Sequence, residues 1–465
     1  MPDPVAILLE KLPRRWSTAI VLVGAILIHL SLGTVYSFAN MLPYLISYQK
    51  WKVQSAASLR VADYTWIYTA QTGFQTVAMV CGGWLEKKIG PRLSSMLGGL
   101  IMSLGVLLTT WTIQLSFAAL LLSYGVMLGF GLGLAYNAAI VCIMKWFPGR
   151  HGLASGLVLL GFGCGTFVFN PIQTRYINPW NYKPNCRIGG NDCFCQPVLL
   201  HRIPSTFVLL AACYFCMQII GSLLLVDPQP RLEANDQRSL MADGDETTAL
   251  LSSKEGETVA SVHPKDVFRS STFYMLWLTY FCNAQTVFLV ATLYKSFAEQ
   301  YDKLNDDHYL ALVGSVSSIF NAIGRPLWGA IGDAFGYQVA MASLCATSTF
   351  FTLTLLSTTL WGGKVAFIIW ICALYLACSG SFSLFPMATA KAFGQEYVGI
   401  NYGLVMTSIT AQNIFSALLF GALLERIGYP GMLFVVAGFS SCGKLRVHLD
   451  GSNPTLSPRK QDLRW

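Results

Sequence analysis

Charged side chains are scarce in this chain of 465 residues, of which only 12% are Asp, Glu, Lys or Arg. An ordinary soluble domain contains about one quarter charged residues. Hydrophobic residues make up 54% of the chain, and the mean hydropathy is +0.51. The composition therefore excludes an ordinary soluble protein and indicates an integral membrane protein that crosses the bilayer many times.

The usual features of an enzyme are also missing. We find no phosphate-binding loop and no nucleophile set, and the six histidines are dispersed along the chain. We therefore expect no catalytic activity, no cofactor and no metal. The first apolar run is too long for a cleavable signal peptide, so none is expected. The net charge of +8 comes from basic residues scattered over short segments, a pattern that does not favour a nucleic-acid partner.

Apolar runs of about 20 residues, the length needed to cross about 30 Å of hydrocarbon, recur from end to end. Eleven clear spans are predicted at residues 17–39, 65–84, 93–113, 117–141, 152–171, 205–226, 272–294, 309–331, 338–359, 365–389 and 399–423. A twelfth would begin near Gly431, but its apolar run ends at Cys442, about 18 Å of helix. We expect an all-α membrane protein whose last helix is incomplete.

A polar stretch from Asp227 to Arg269, rich in acidic residues, Ser and Thr, divides the spans into two groups of six and reads as a disordered linker. An internal repeat supports this division, because 246 residues separate Gly83 from Gly329 and also Gly90 from Gly336. We predict a cytosolic N-terminus at residues 1–16, a first half at 17–226, a cytosolic linker at 227–270, a second half at 271–442 and a polar tail at 443–465.

The distribution of Lys and Arg predicts the orientation. The side that holds the N-terminus, the linker and the tail collects 19 of these residues, the opposite side 11, and Arg325 completes the total of 31. The positive-inside rule then places both termini in the cytosol. The plasma membrane is the expected location, with an endolysosomal or other organelle membrane as the alternative. The linker sequence from Glu246 to Leu251 resembles an acidic dileucine sorting signal, although a chance match is as good an explanation.

Three of the 13 cysteines lie together, at Cys186, Cys193 and Cys195, in the predicted external loop Ile172 to Pro204. An oxidising compartment permits one disulfide among them and leaves one free thiol. The other ten lie in or beside apolar spans and are expected to be small buried hydrophobes.

Arg325 is the one charged residue in the apolar run from Tyr309 to Ile331. A guanidinium stays charged at any physiological pH and costs about 3 kcal/mol at the centre of a membrane helix on insertion scales. Asn321, one turn earlier on the same face, can hydrogen-bond but supplies no counter-charge. A binding site for an anion is therefore favoured over the alternative, a structural arginine held by carbonyl groups near Pro326.

Other polar residues interrupt the apolar spans of the first half. They are Tyr36, Asn40, Gln71, Gln75, Tyr136 and Asn137. Gln71 and Gln75 share a helix face, which favours a lined cavity. Each of these residues has the competing interpretation of an interhelical hydrogen bond.

Spans four and five are joined by a glycine-rich stretch, Gly129 to Gly165, in which small residues let helix backbones approach closely. This stretch resembles the oxalate/formate antiporter family of the major facilitator superfamily. Four other segments carry the same resemblance: Arg15-Trp16, Gly33 to Tyr36, Trp146 to Gly161, and Asn321 to Gly329. The chain is more distantly similar to the monocarboxylate transporters. The resemblance covers nearly all spans and implies a major facilitator fold with two six-helix halves around a central cavity.

The resemblance also implies a function. It implies that Arg325 holds a substrate carboxylate and that Tyr36 and Tyr136 help to line the cavity. It also implies two partners, the lipid bilayer and a small organic anion. Any accessory or sorting protein is unknown. The superfamily loop signature occurs twice in imperfect form. Its residues have two competing interpretations, a role in gating and a purely structural role. The first copy contains Gly83, Lys87, Lys88, Gly90 and Arg92, and the second contains Gly329, Asp333 and Gly336.

Departures from the families refine this expectation. Proton-coupled monocarboxylate transporters have an Asp and a Lys where this chain has Asn321 and Asn40, and oxalate transporters have a span-eleven Lys that residues 401–425 lack. One fixed cation suits one carboxylate. We therefore expect a monocarboxylate such as pyruvate, lactate or formate, moved by exchange or facilitated passage.

His29, inside span one, is the remaining candidate for proton coupling because an imidazole titrates near neutral pH, and its alternative is a hydrogen-bonded histidine between helices. The short last span leaves a second hypothesis open, in which the chain is a non-transporting sensor or an inactive isoform that keeps the fold.

Overall fold

The computed structural model describes residues 7, 9, 11–53, 56, 58–59, 61–180, 182, 184–188, 191–228, 261–304 and 307–452. Most of the linker, including the sequence from Glu246 to Leu251, and the end of the polar tail lie outside these residues. The described residues are mainly helical, as their apolar composition predicts.

The first half begins with α1 (Arg14–Leu32), a 3₁₀ segment (Gly33–Ser37) and α2 (Phe38–Lys52). There follow α3 (Val61–Thr112), α4 (Phe117–Leu120), a π-helical segment (Leu121–Met127), α5 (Leu128–Trp146) and α6 (His151–Ile177). A short antiparallel hairpin of β1 (Cys186–Ile188) and β2 (Asn191–Cys193) precedes α7 (Pro197–Leu200) and α8 (Arg202–Leu224).

The second half contains α9 (Pro264–Val267), α10 (Ser271–Glu299), α11 (Asp307–Phe335) and α12 (Tyr337–Ser357). A π-helical segment (Thr358–Gly362) leads to α13 (Gly363–Phe393), and α14 (Val398–Ser452) is the last helix.

Glycines in the left-handed region separate neighbouring spans at repeated positions. Gly90 has φ +82° inside α3, and Gly336 has φ +83° between α11 and α12. Gly149 and Gly394, with φ +74° and +77°, precede α6 and end α13. Residues with a side chain rarely adopt this conformation, so glycine is required at these four turns. One pair of the sequence repeat, Gly90 and Gly336, therefore has the same backbone conformation.

The described chain divides into two compact units. The first comprises Met1–Trp146 and Gly161–Gly244, and the second comprises Phe147–Leu160 and Asp245–Trp465. The first ten residues of α6 therefore pack with the second unit.

Within the first unit, glycines bring helix backbones together. A Cβ added at Gly133 would lie 2.1 Å from the carbonyl oxygen of Gln75, and one at Gly131 would lie 2.3 Å from the amide nitrogen of Met102. Both contacts join α5 to α3. Close packing of this kind replaces the hydrophobic drive that is missing between helices in lipid. In the second unit a buried cluster joins α10, α13 and α14 through Phe297, Phe367 and Phe420.

Nine helical segments of the described residues are long and apolar enough to cross a membrane. One of them, Asp63–Thr112, contains two of the sequence-predicted spans, because α3 comprises two helices that meet at the non-helical Gly90. The helix of Arg325, α11, is not among the nine, yet its 29 residues exceed the roughly 20 that a span needs.

The last helix does not stop where its apolar run ends. After a break at Gly428, where φ is +65°, α14 continues through Cys442 to Ser452. The end of the membrane-embedded part of this helix stays a prediction.

Candidate functional site

Arg325 lies on α11 with 0% of its surface exposed. Its Nε and Nη2 atoms donate to Oδ1 of Asn321, at 3.4 and 3.1 Å. Its guanidinium carbon lies 4.6 Å from the ring centre of Phe382 on α13. The cation is thus packed against an aromatic face, which attracts it, and against an amide oxygen one turn below.

Two hydrogen bonds to α13 flank Arg325 on its own helix. Nδ2 of Asn321 donates to the Tyr375 carbonyl at 3.4 Å, and Nε1 of Trp328 donates to the Leu376 carbonyl at 2.9 Å. On the α6 side, a Cβ at Gly156 would lie 2.5 Å from the Arg325 carbonyl oxygen. Contacts one turn before and almost one turn after the arginine therefore fix the position of its backbone.

Helix α10 contributes polar and aromatic groups beside Phe382. Nδ2 of Asn283 donates to the hydroxyl of Ser381 at 2.6 Å, and the rings of Tyr280 and Phe382 lie 6.3 Å apart. Sequence reasoning missed Phe382, because one phenylalanine in an aromatic-rich span gives no signal. It also missed Asn283, although an amide inside an apolar span is a visible signal.

Three predicted residues of the first half meet around one ring. His29 lies 5.0 Å from Tyr136, and both Tyr36 and Tyr136 contact Phe162, at 5.4 and 5.5 Å between ring centres. His29 has 0% exposure, and its Nδ1 lies 3.2 Å from the Ala25 carbonyl oxygen. The two phenols and the imidazole therefore form a single aromatic cluster.

The predicted amides of the first half bind neighbouring helices. Gln71 donates to the Tyr124 carbonyl and Asn137 to the Met79 carbonyl, each at 2.8 Å. Nδ2 of Asn40 lies within hydrogen-bond distance of Gln173 and Thr174 on α6, at 3.1 and 3.2 Å. These contacts are those of interhelical hydrogen bonds, so the role of these amides in binding a substrate stays a prediction.

The first loop signature holds an ion-pair network that its sequence did not reveal. Lys145 at the end of α5 pairs with Glu86 at 3.1 Å and with Asp227 at 2.9 Å. Lys87 and Lys88 are exposed, and Lys88 lies 4.0 Å from the ring centre of Trp84. The acidic side chain of this loop that pairs with Lys145 is therefore Glu86, the residue before Lys87.

In the second signature, Asp333 caps a helix. Its carboxylate accepts from the backbone N–H groups of Gly152 and Leu153 at 2.9 and 2.7 Å, at the N-terminus of α6. A negative charge is stabilising at this end of a helix. A Cβ at Gly329 would lie 2.0 Å from the Gly152 carbonyl oxygen, so the two backbones meet beside the cap.

The cysteine loop contains a disulfide between Cys186 and Cys195. Cys193 is a free, fully buried thiol on β2, where it faces Cys186 across the hairpin. In the described part of the chain, no group of three or more His, Cys, Asp or Glu side chains is placed to hold a metal.

Comparison with known proteins supports the resemblance read from the sequence. The chain is 29% identical to "Apicoplast pyruvate carrier 1" of Toxoplasma gondii, over 96% of this chain and 91% of that protein. It is 24% identical to the "Oxalate:formate antiporter" of Oxalobacter formigenes, over 80% and 78%. It is 23% identical to "Monocarboxylate transporter 14" of Mus musculus, over 76% and 75%.

A solved structure shows the same fold. The major facilitator transporter FucP, crystallised in the outward conformation, matches with a TM-score of 0.67 at 13% identity, over 93% of this chain and 99% of its own. The Major Facilitator Superfamily matches residues 21–303 and 276–449. The chain is therefore a multi-pass membrane transporter that belongs to the Major Facilitator Superfamily.

Proposed function

We propose that this transporter moves small monocarboxylates, such as pyruvate, lactate or formate, by alternating access, with Arg325 as the residue that binds the carboxylate. Exchange or facilitated passage is the proposed mode, rather than obligatory proton symport. The observation that carries the proposal is a permanently charged guanidinium with 0% exposure on a helix long enough to span the membrane.

The chemistry of the site suits one carboxylate. The Asn321 oxygen and the Phe382 ring both attract the guanidinium. A carboxylate is negatively charged and matches the planar fork of arginine with two parallel hydrogen bonds. Binding of an anion next to Arg325 would then offset much of the cost of holding the charge away from water.

The printed names of the relatives agree with this substrate class. They are a pyruvate carrier, an oxalate:formate antiporter and a monocarboxylate transporter. The absence of a lysine between residues 401 and 425 favours a substrate with one carboxylate over oxalate, which has two.

Uptake into proteoliposomes tests the proposal. Labelled pyruvate, lactate, formate and oxalate are offered with and without unlabelled anion inside, to the native chain, Arg325→Ala and Arg325→Lys. We expect internal anion to stimulate monocarboxylate uptake, Arg325→Ala to abolish it, and Arg325→Lys to retain at most a small fraction because it keeps the charge without the fork.

The matched control is Arg269→Ala, which removes an arginine whose side chain is 85% exposed and pairs with Asp266. Its uptake should equal that of the native chain. Unchanged uptake in Arg325→Ala would overturn the assignment of the site. No uptake of any anion by folded protein would favour the second hypothesis, a non-transporting sensor or inactive isoform.

The plasma membrane is the proposed location, and an organelle membrane is the competing one because two relatives are named for the apicoplast. Imaging of a fluorescent fusion of the full chain beside markers of both membranes decides between them. Co-localisation with an organelle marker alone would overturn the plasma-membrane proposal.

A further inference from the structure

The predicted external loops of the first half are unusually basic. They contain seven Lys and Arg residues and two Asp, whereas the predicted external loops of the second half contain four basic and five acidic residues. Basic residues on the outer side oppose the positive-inside rule. Seven of the eleven outer basic residues lie in one half, so orientation of the chain in the membrane does not explain their distribution.

The described contacts gather these residues at the hairpin end of the first unit. Nζ of Lys50, at the end of α2, donates to the Ile188 carbonyl at 3.1 Å and so places the lysine beside Arg187 on β1. Lys52 lies 5.7 Å from the ring centre of Trp51, and that ring contacts His201 at 5.5 Å. Arg202, the next residue, lies over Trp180 at 4.6 Å.

Lys50 is only 7% exposed. Its described contact is a neutral carbonyl oxygen, which uses one of the three N–H donors of an ammonium. The hairpin that covers it is held to α2 by a hydrogen bond from the Phe194 amide to Ser47 and by stacking of Phe194 on Tyr44. A positive charge is thus fixed within a mainly basic surface.

We propose that Lys50, Lys52, Arg187, His201 and Arg202 form an anion-docking patch at the predicted outer end of the first half, where small carboxylate anions collect before transport. This inference rests on the proposed function. The basic residues of these loops outnumber the acidic ones, although Asp192 lies opposite Arg187 in the hairpin register. A surface with a net charge raises the local concentration of ligands of the opposite sign and speeds their association, and salt weakens both effects.

The external KM for pyruvate exchange in vesicles of neutral phosphatidylcholine tests the patch. It is measured at about 0.01 M and about 1 M ionic strength, where the screening length is about 30 Å and about 3 Å. We expect Lys50→Gln to raise KM about threefold at low ionic strength, as removal of one unit charge about 7 Å away predicts. The difference in KM between Lys50→Gln and the native chain should vanish at high ionic strength. The maximal rate should not change, and Lys50→Arg should behave like the native chain.

Lys364→Gln is the matched control. Lys364 lies on a predicted external loop of the second half, and its Nζ lies 5.2 Å from the ring centre of Tyr309. Its KM should follow that of the native chain. Lys52→Gln is the second variant, since Lys52 is exposed and its substitution leaves the bond between Lys50 and the hairpin in place. An identical salt dependence of KM in the native chain, Lys50→Gln and Lys52→Gln would overturn the inference.

A second readout separates this inference from the proposed function. Iodide quenching of Trp51 fluorescence, isolated as the difference from Trp51→Phe, reports the local anion concentration without transport. We expect quenching at low ionic strength to fall about threefold in Lys50→Gln, by the same charge argument, while quenching by neutral acrylamide stays constant. Equal iodide quenching in both proteins would overturn the patch even if carboxylates are transported.

Anionic lipid is the competing ligand. Lys and Arg beside Trp rings are also typical of membrane interfaces, where they contact lipid phosphates. The test replaces part of the phosphatidylcholine with phosphatidylglycerol. If Lys50→Gln then has the native KM, and if this KM no longer depends on salt, the patch binds lipid and the inference is wrong.

Discussion

At the scale of single residues, we propose that the surroundings of Arg325 determine which anion the transporter binds. The Phe382 ring covers one region of the guanidinium, and Asn321 holds its Nε and Nη2 atoms from below. These contacts limit the directions in which the fork can point. Orientation of the fork matters because a bidentate bond to a carboxylate requires both groups to lie in one plane.

We predict that Phe382→Leu raises KM for the transported carboxylate about 2- to 30-fold, the range expected when a cation loses an aromatic partner. Phe382→Tyr keeps the ring face and should change KM less. The initial rate of uptake over a range of substrate concentrations measures the effect.

Phe385→Leu is its matched control. Phe385 stacks on Tyr280 at 4.1 Å, and its substitution removes a ring of the same size from the same helix. Equal increases of KM in Phe382→Leu and Phe385→Leu would show that general loosening of α13, rather than contact with Arg325, determines the effect.

At the scale of helices, α6 and α11 are joined by a charged cap and by glycine contacts. Asp333 accepts two N–H groups of α6, and Gly152 and Gly156 let its backbone approach α11. These interactions link the N-terminal part of α6 to α11, the helix that carries both Arg325 and most of the second loop signature. The sequence left open whether the signature acts in gating or only in structure.

We predict that Asp333→Asn lowers the maximal exchange rate while KM stays constant. An amide can accept at one oxygen only, and loss of a hydrogen bond to a charged group changes a conformational equilibrium by about 1.5–3 kcal/mol. If the cap forms in one transport state only, that equilibrium controls the rate. Exchange kinetics with saturating internal anion provide the measurement.

Asp266→Asn, which changes an exposed carboxylate paired with Arg269, is the control for loss of charge. A lower thermal stability of Asp333→Asn in detergent, together with a native exchange rate, would make Asp333 a structural cap and exclude gating.

At the scale of the whole molecule, the mode of coupling follows from the groups that can carry a proton. Asn321 and Asn40, the amides at the two positions where the sequence resemblance led us to look for ionisable residues, are engaged in hydrogen bonds. Neither titrates. His29 remains, buried against Tyr136 with Nδ1 directed at the Ala25 carbonyl.

We predict that pyruvate uptake at equal pH on both sides is driven by internal anion, and that His29→Gln keeps this exchange. Uptake is measured with and without an imposed pH gradient. If uptake requires the gradient and His29→Gln removes that requirement, the proposal of exchange is wrong.

Much of the fold was predictable from the sequence because hydropathy and spacing are local properties. Span lengths follow from bilayer thickness, and the match of Gly90 with Gly336 follows from two turns that need glycine. The family was predictable from motifs. The partners of Lys145 were not, because Glu86 and Asp227 lie far from it in the chain.

By itself, the sequence determined that this protein crosses the membrane repeatedly and carries a buried permanent cation, since insertion depends on composition over each span. Only the tertiary structure decided that Phe382 lies against that cation, that Asp333 caps α6, and that Cys195 rather than Cys193 pairs with Cys186. These pairings depend on how distant segments pack. A local sequence pattern does not determine which distant side chain will contact it.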